Sequence, residues 1–262
     1  MNQQECEIMG ILKGKTAIIT GASSGVGYGC ALRFAEEGAN VVACARRMEN
    51  LEKLCAEASG LEGKIISQRC DISVEADLDA AVQKAVDTFG TVHILANIAQ
   101  GGLGMSSPLS ETTVDECMTY YMTGPIASMK LMQKCFPYMK AQHYGRIINC
   151  SSEAASKALN GFTAYGMCKA AVEALTRNAA QEWAQYGITT NVFMPFIKTE
   201  NTEKSERGRK MAERVAAFNP TRRFGTAYED CSPMVAFLVS EGAGYINGEA
   251  INISGGGTVP LG

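Results

Sequence analysis

The feature that most constrains this chain is a regular alternation of short apolar runs with longer segments of helical periodicity. TAIIT at 16–20, NVVACA at 40–45 and GRIINC at 145–150 lack a clean polar residue at every second position. Strands of this kind are buried on both faces, which requires helices on each side of a parallel sheet. The sequence therefore predicts an α/β chain with a doubly wound parallel sheet.

The predicted elements follow the order βαβαβαβαβαβ, with one more helix and strand towards the end of the chain. The strands are predicted at 16–20, 40–45, 64–70, 92–97, 145–150, 189–194 and 249–253, and the helices at 27–38, 47–59, 74–89, 113–141, 162–186 and 227–241. No linker, repeat or low-complexity block divides the 262 residues, an ordinary length for one α/β domain. We predict a single domain, 1–262, with about seven strands.

Composition excludes several classes of protein. With 46% hydrophobic residues, 19% charged residues and a net charge of −3, the chain resembles a soluble globular protein and gives no reason to expect nucleic-acid binding. It shows no signal-peptide pattern and no apolar run near the roughly 20 residues of a membrane span. Ten scattered cysteines without a CxxC pair, and only two histidines, predict neither a disulfide framework nor a zinc site. We expect a reduced, cytoplasmic protein without membrane, nucleic-acid or metal partners.

A glycine-rich turn, TGASSGVG at 20–27, follows the first strand directly and opens the first helix. Gly21, Gly25 and Gly27 allow a sharp turn, close approach of backbone N–H groups to a pyrophosphate, and tight packing of the helix on the sheet. A plain tight turn is the alternative. The position in the first βα turn favours a dinucleotide site in a Rossmann-type sheet.

The end of the second strand bears on which dinucleotide binds. An Asp or Glu there accepts hydrogen bonds from the ribose of NAD, but this chain has Ala45 followed by Arg46 and Arg47. Guanidinium groups bind a 2′-phosphate through charge-assisted hydrogen bonds, so NADP(H) is favoured over NAD(H). The alternative is two solvated arginines at a helix start, where positive charge opposes the helix dipole.

Six motifs together carry a family resemblance. They are TGASSGVG, CDIS at 70–73, ANIA at 96–99, INCSS at 148–152, YGMCK at 165–169 and YINGEAINISGGG at 245–257. In this order and spacing, the chain resembles the classical short-chain dehydrogenases/reductases along nearly its whole length. The resemblance implies a nicotinamide cofactor, a small-molecule substrate, and a homodimer or homotetramer built through the helices at 113–141 and 162–186.

The resemblance implies a catalytic role for three side chains. Tyr165 corresponds to the acid/base, Lys169 to its partner, and Ser152, thirteen residues before the tyrosine, to the hydroxyl that polarises the substrate. Ser151 is less suitable, because the residue thirteen positions after it is Ala164. Residues i and i+4 share a helix face, and a neighbouring ammonium lowers a phenol pKa from its usual value of about 10. We therefore expect Lys169 to lower the pKa of Tyr165.

Cofactor contacts are also implied by the resemblance. Beyond the turn glycines, the arginines, Tyr165 and Lys169, they are Ser23, Ser24, Val26, Asp71, Ile72, Asn97, Ala99, Pro195, Ile197 and Thr199. Asp71 has an alternative role as a cap of the helix at 74–89, because Asp is favoured at that position.

The chain departs from the family pattern in three places. The usual glycine after the fourth strand is Gln100, and Phe196 follows Pro195, where we expect it to reshape the nicotinamide or substrate pocket. A helix Asn that positions the lysine in many members is absent, and its expected place falls near Thr123 and Gly124. Either Thr123 or backbone carbonyls replace it, or the proton relay is altered.

These observations predict an NADP(H)-dependent oxidoreductase that interconverts a secondary alcohol and a ketone, on a bulky apolar or cyclic compound such as a hydroxysteroid. The segments 100–108, 153–162 and 197–222 would form the substrate pocket. The last of them is a variable substrate lid or, alternatively, a solvated surface helix. Two other functions remain open: a 3-oxoacyl thioester (acyl-carrier) reductase, and a catalytically vestigial NADP(H)-binding regulatory protein.

Overall fold

The fold is a single seven-stranded parallel sheet with helices on both faces, seen in a computed structural model that describes residues 10–102, 106–198 and 206–257. The spatial order of the strands is β3-β2-β1-β4-β5-β6-β7. Their bounds are Thr16–Thr20 (β1), Asn40–Ala45 (β2), Ile65–Arg69 (β3), Ile94–Asn97 (β4), Gly145–Cys150 (β5), Ile188–Pro195 (β6) and Ala250–Ile253 (β7). The predicted doubly wound sheet is confirmed.

The helices connect successive strands across the two faces. Their bounds are Gly25–Glu36 (α1), Met48–Glu57 (α2), Glu75–Phe89 (α3), Val114–Tyr121 (α4), Ala127–Ala141 (α5), Thr163–Trp183 (α6), Glu206–Phe218 (α7) and Ser232–Leu238 (α8). The long helix predicted at 113–141 is interrupted by a π-helical turn, Met122–Ile126, which contains Pro125. Proline brings no N–H to the helical ladder, which favours an interruption at this position.

The core lies in two layers, one on each face of the sheet. Successive strand residues point to opposite faces, so Ile18 and Ile19 of β1 belong to different layers. Ile19 packs with α1, α2 and α8, while Ile18 packs with α3, α5 and α6. Full burial of such a side chain contributes roughly 1.5–3 kcal/mol. Burial on both faces explains why the strands lack polar alternation.

The topology also fixes where a ligand can bind. β1 pairs with β2 on one side and β4 on the other, so the direction of winding reverses at β1. Crevices in open α/β sheets form at the carboxyl ends of the strands at such a reversal. The glycine-rich turn and the loop after β4 therefore meet at one edge of the sheet.

Candidate active site

A cavity of about 630 Å³ lies at this edge of the sheet. Its wall brings together most of the residues predicted to bind a cofactor. The lining residues are Gly21, Ser23, Ser24, Gly25, Val26, Gly27, Ala45, Arg46, Arg47, Cys70, Asp71, Ile72, Ile98, Ala99, Gln100, Gly101, Thr123, Cys150, Tyr165 and Lys169. Both the volume and the mixture of apolar wall and few polar groups are typical of small-molecule sites.

The glycine-rich turn forms one wall of the cavity because its backbone runs unusually close to other backbone. Gly21 has a φ of +73°, and a Cβ there would lie 3.0 Å from the amide nitrogen of Ala99. A Cβ at Gly27 would lie 2.4 Å from the carbonyl oxygen of Gly21. The turn therefore requires glycine at both positions. It leads into the N-terminus of α1, where backbone N–H groups without helical partners can bind an anion.

A cluster of cationic and hydroxyl groups lies beside the turn. The Arg47 guanidinium donates from Nη2 to Ser24 Oγ at 2.7 Å and to Ser23 Oγ at 3.1 Å. Arg46 is exposed at the cavity rim, and Ala45 stands where a ribose-binding carboxylate would be. These groups can donate charge-assisted hydrogen bonds to an anionic ligand.

Asp71 and Ile72 line the cavity after β3. The Asp71 carboxylate accepts from the Ser73 amide at 3.0 Å and the Ser73 hydroxyl at 2.7 Å, and these bonds lower the pKa of Asp71. The N-cap of α3 is Val74, so the alternative role of Asp71 as the helix cap is wrong. Asp71 instead closes a local turn that holds the loop against the cavity.

The three side chains predicted to be catalytic lie close together, and Tyr165 and Lys169 line the cavity, whereas Ser152 is not part of its wall. Tyr165 and Lys169 lie one turn apart on α6, and Lys169 Nζ is 5.5 Å from the centre of the Tyr165 ring. Lys169 donates to the carbonyl oxygen of Cys150 at 2.8 Å, and the Ser152 hydroxyl hydrogen-bonds to Tyr165. Ser151 is buried and donates to Glu173 at 3.0 Å, so Ser152 is the serine that faces the phenol.

Burial dominates the electrostatics of Tyr165. It raises the pKa of the phenol above its ordinary value, and the hydrogen bond with Ser152 opposes that shift. The net shift in the protein alone is therefore upward, opposite to the lowered phenol pKa expected from the sequence. The physical reason is that a buried phenolate loses its solvation, and the nearby Lys169 ammonium does not offset that loss.

Several predicted contact residues lie outside the cavity wall. Asn97 is buried and donates to Asn149 Oδ1 at 2.9 Å. Pro195 ends β6 and Ile197 is bridged to Gly225, and neither lines the cavity. The Phe196 ring packs against Phe224 at 5.1 Å and lines a separate cavity of about 30 Å³. Thr199 lies outside the described residues.

Sequence reasoning assigned no contact to three residues of the wall, Cys70, Ile98 and Cys150. Cys150 ends β5 at the carboxyl edge, and its position on that strand was the available signal. Gln100 and Gly101 follow β4 at the same edge and belong to the segment 100–108 that was predicted to form the substrate pocket. Among residues 10–102, 106–198 and 206–257, no helix has the length and hydropathy needed to cross a bilayer. Within those same ranges, no group of three or more His, Cys, Asp or Glu side chains is placed to bind a metal.

Comparison with known proteins places these features in a family. A family model described as enoyl-(acyl carrier protein) reductase matches residues 21–258. The chain is 33% identical to 3-oxoacyl-[acyl-carrier-protein] reductase FabG of Thermotoga maritima, over 94% of this chain and 98% of that protein. It is also 33% identical to 12alpha-hydroxysteroid dehydrogenase of a Clostridium species, over 95% of this chain and 98% of the relative.

Two solved structures share the fold. Levodione reductase superposes with a TM-score of 0.86 and 29% identity, covering 93% of this chain and 97% of that one. YwfH, an NADPH dependent reductase involved in bacilysin biosynthesis, gives a TM-score of 0.86 and 25% identity, covering 94% and 99%. The chain therefore belongs to the short-chain dehydrogenase/reductase family of NAD(P)-dependent oxidoreductases.

Proposed function

We propose that this protein is an NADP(H)-dependent oxidoreductase that interconverts a secondary alcohol and a ketone on a bulky apolar or cyclic substrate such as a hydroxysteroid. One observation carries the proposal. Tyr165 and Lys169 line the same cavity as the glycine-rich turn and Arg47, and Ser152 hydrogen-bonds to Tyr165. This arrangement places the proposed reacting pair and the proposed phosphate-binding groups in one cavity.

The proposed mechanism follows from the three side chains. A bound nicotinamide supplies or accepts the hydride, and its oxidised form adds a positive charge that favours the phenolate. In reduction, the Ser152 hydroxyl donates to the carbonyl oxygen and Tyr165 transfers its proton to that oxygen. The Lys169 ammonium, 5.5 Å from the phenol ring, stabilises the resulting phenolate. Burial keeps the phenol protonated until then.

The preference for NADP(H) is supported by the charges at the end of β2. Arg46 and Arg47 line the cavity beside Ser23 and Ser24, and no carboxylate occupies position 45. A 2′-phosphate would add to this cluster as a bidentate acceptor. The description of YwfH as NADPH dependent agrees with this choice.

The proposed substrate class is supported by an apolar side chain near Tyr165 and by the relatives. Phe162 is large and exposed, its ring lies 6.3 Å from that of Tyr165, and Leu159 is a second exposed apolar side chain in the same segment. A hydroxysteroid dehydrogenase is among the relatives. The segment 197–222 is the proposed lid. Its described part includes α7, where Lys210 pairs with Glu206 at 2.7 Å on a mostly exposed helix.

A second candidate function is reduction of a 3-oxoacyl thioester. The FabG relative, which covers nearly the whole chain, favours it. The two candidates share the proposed catalytic residues and differ only in what the mouth of the cavity admits. A substrate panel therefore separates them.

We propose that the protein acts in the cytoplasm as a homodimer or homotetramer. The described cysteines are all free thiols, as a reducing compartment would leave them. Met118, Met122 and Met167 are exposed on α4, the π turn and α6, which are in contact with one another. Such an apolar face is suited to a second copy of the chain. Light scattering after size exclusion gives the mass that tests this.

The proposed function is tested by following NADPH and NADH oxidation with three substrate groups: monocyclic ketones, steroid ketones and 3-oxoacyl thioesters. We expect turnover of a bulky cyclic ketone with NADPH in preference to NADH. Turnover of acyl thioesters alone would support the second candidate. Tight NADPH binding without turnover of any substrate would contradict both and favour a vestigial regulatory protein.

A further inference from the structure

The interruption between α4 and α5 lies in the cavity wall beside the reactive pair. The π turn contains Pro125. The carbonyl oxygen of Tyr120, which precedes this turn, accepts hydrogen bonds from side chains outside the helix. It accepts from Gln100 Nε2 at 3.2 Å and lies 3.2 Å from the Cys168 thiol. A partly buried carbonyl needs such a partner when the helical ladder is disturbed.

Gln100 makes more contacts than this one. Its Nε2 also donates to Thr123 Oγ1 at 3.0 Å and to the Gly101 carbonyl at 3.2 Å. Its Oε1 lies 3.6 Å from the Cys168 thiol. One carboxamide therefore joins the loop after β4, the π turn and α6.

This carboxamide occupies a defined space in front of Gly124. A Cβ at position 124 would lie 3.0 Å from Gln100 Oε1 and 2.5 Å from Cys168 Sγ. The space into which a side chain at 124 would project is therefore filled by Gln100 and Cys168. The chain has Gln100 in place of the usual glycine, and it lacks the helix Asn near position 124. These two departures are complementary, because the loop supplies a side-chain amide where the helix has none.

The contacts of Gln100 lead directly to the two reactive side chains. Cys168 immediately precedes Lys169 on α6 and is fully buried. Tyr120, whose carbonyl Gln100 binds, packs its ring edge-on against Tyr165 at 5.5 Å. Gln100 and Thr123 line the same cavity as Tyr165 and Lys169. A shift of this carboxamide would therefore move the packing partners of both.

We propose that Gln100 is a positioning residue for Tyr165 and Lys169, acting through Thr123, the Tyr120 carbonyl and Cys168. The inference rests on the proposed function, because it assigns Gln100 a part in the reaction of those two residues. It predicts that substitution of Gln100 changes the pKa of the Tyr165 phenol, which can be measured without turnover.

Two variants at this position test the proposal. Gln100→Ala removes the carboxamide, and we expect kcat to fall about 10- to 100-fold with a KM for NADPH changed by about twofold or less. Gln100→Glu keeps the shape but places a carboxylate against the Tyr120 and Gly101 carbonyls. The added negative charge raises the pKa of Tyr165, which moves the pH profile of kcat to higher pH. The matched control is Gln185→Ala, which removes an exposed glutamine bonded to one backbone carbonyl. We expect this variant to keep the wild-type kcat and the wild-type pH profile.

A restoration variant distinguishes positioning from general stability. Gln100→Gly combined with Cys168→Ala clears the space, and addition of Gly124→Asn returns a carboxamide from the helix side. We expect the triple variant to recover about tenfold in kcat over the double variant, because orientation rather than stability limits it. No recovery, together with an unaltered pH profile in Gln100→Glu, would overturn the proposal.

A titration without substrate separates this inference from the proposed function. The absorbance of the Tyr165 phenolate is obtained as the difference between each protein and its Tyr165→Phe counterpart across pH. A higher phenol pKa in Gln100→Glu supports the positioning role even if the wild-type protein reduces no ketone, in which case only the proposed function fails. If the wild-type protein is active and all Gln100 variants show the same phenol titration and the same kcat, the positioning role is refuted and the proposed function stands.

Discussion

The guanidinium group of Arg47 bonds to both serines of the glycine-rich turn, with no carboxylate at position 45 to compete for it. We predict that Arg47→Ala weakens NADPH binding about 10- to 100-fold, because it removes charge-assisted bonds to a 2′-phosphate. NADH binding changes by about threefold or less, because its ribose offers no such charge. Titration calorimetry with each cofactor measures both affinities.

The control for this prediction is Lys53→Ala. Lys53 carries the same charge on the exposed face of α2, where it pairs with Glu49 at 2.8 Å. Neither affinity should change in that variant. An equal loss of NADPH and NADH affinity in Arg47→Ala would show that Arg47 supports the turn and does not bind the 2′-phosphate.

His93 gives a prediction about pH and stability. Its Nδ1 accepts from the Thr16 amide at 3.0 Å at the start of β1, and burial, helped by Lys15, lowers its pKa. The folded state therefore binds fewer protons at His93 than the unfolded chain, whose histidine pKa is about 6.5. The stability from His93 is present above that pH and is lost as pH falls through the folded pKa.

We predict that the free energy of unfolding of the wild-type protein falls by on the order of 1 kcal/mol between pH 7 and pH 5 through His93, since protonation removes the acceptor for a buried amide. His93→Gln, which keeps an acceptor but does not titrate, should lose that part of the slope. Urea unfolding at both pH values measures it. His143→Asn at an exposed turn is the control, and the same slope in wild type and His93→Gln would refute the assignment.

At the scale of elements, the βα turn before α1 depends on a close backbone crossing. A Cβ at Gly27 would meet the Gly21 carbonyl oxygen at 2.4 Å, which no side-chain rotation can relieve. We predict that Gly27→Ala lowers the free energy of unfolding by about 1–3 kcal/mol and weakens NADPH binding as the turn shifts. Denaturant unfolding and cofactor titration check the two parts.

Gly242→Ala is the matched control for that substitution. A Cβ at Gly242 would find its nearest neighbour, Ser240 Oγ, at 3.5 Å, which is an ordinary contact. Its stability and cofactor affinity should match the wild type. If Gly27→Ala behaves in the same way, the crossing does not constrain the turn as described.

The elements that could be predicted are those whose signal is local. β2 and β5 were predicted residue for residue, because buried strands end where the apolar run ends. The predicted helix at 113–141 hid the π turn at Met122–Ile126, since one widened turn barely changes the apolar periodicity. Pro125 was the available signal, and only the structure shows how Gln100 and Cys168 satisfy the disturbed helix.

The candidate site likewise contains residues that could be predicted from a local signal and residues that could not. Gly21 and Arg47 were predicted from the ends of buried strands and Tyr165 from the family motif YGMCK, and all three line the cavity. Asn97 was expected to contact the cofactor, yet its side chain bonds to Asn149 on the neighbouring strand. Which way a side chain turns depends on partners distant in sequence, so the sequence pattern carried no information about it.

At the scale of the whole molecule, the reversal of winding at β1 brings distant segments into one cavity. The turn at 20–27 and the end of β2 form the part proposed to bind a phosphate, while β5 and α6 bring Cys150, Tyr165 and Lys169 into the same cavity. The central proposal is that Tyr165 passes a proton to or from the substrate oxygen. The phenol hydroxyl is not in the part proposed to bind phosphate, so its loss should impair the reaction and leave cofactor binding intact.

The most direct measurement is kcat/KM for NADPH-dependent ketone reduction in the wild type and in Tyr165→Phe, with the Kd for NADPH measured on the same samples. The variant keeps the ring packed against Tyr120 and loses only the hydroxyl. We predict a loss of about 10²- to 10⁴-fold in kcat/KM with a Kd changed by about twofold or less. Turnover by Tyr165→Phe at the wild-type rate would contradict the account.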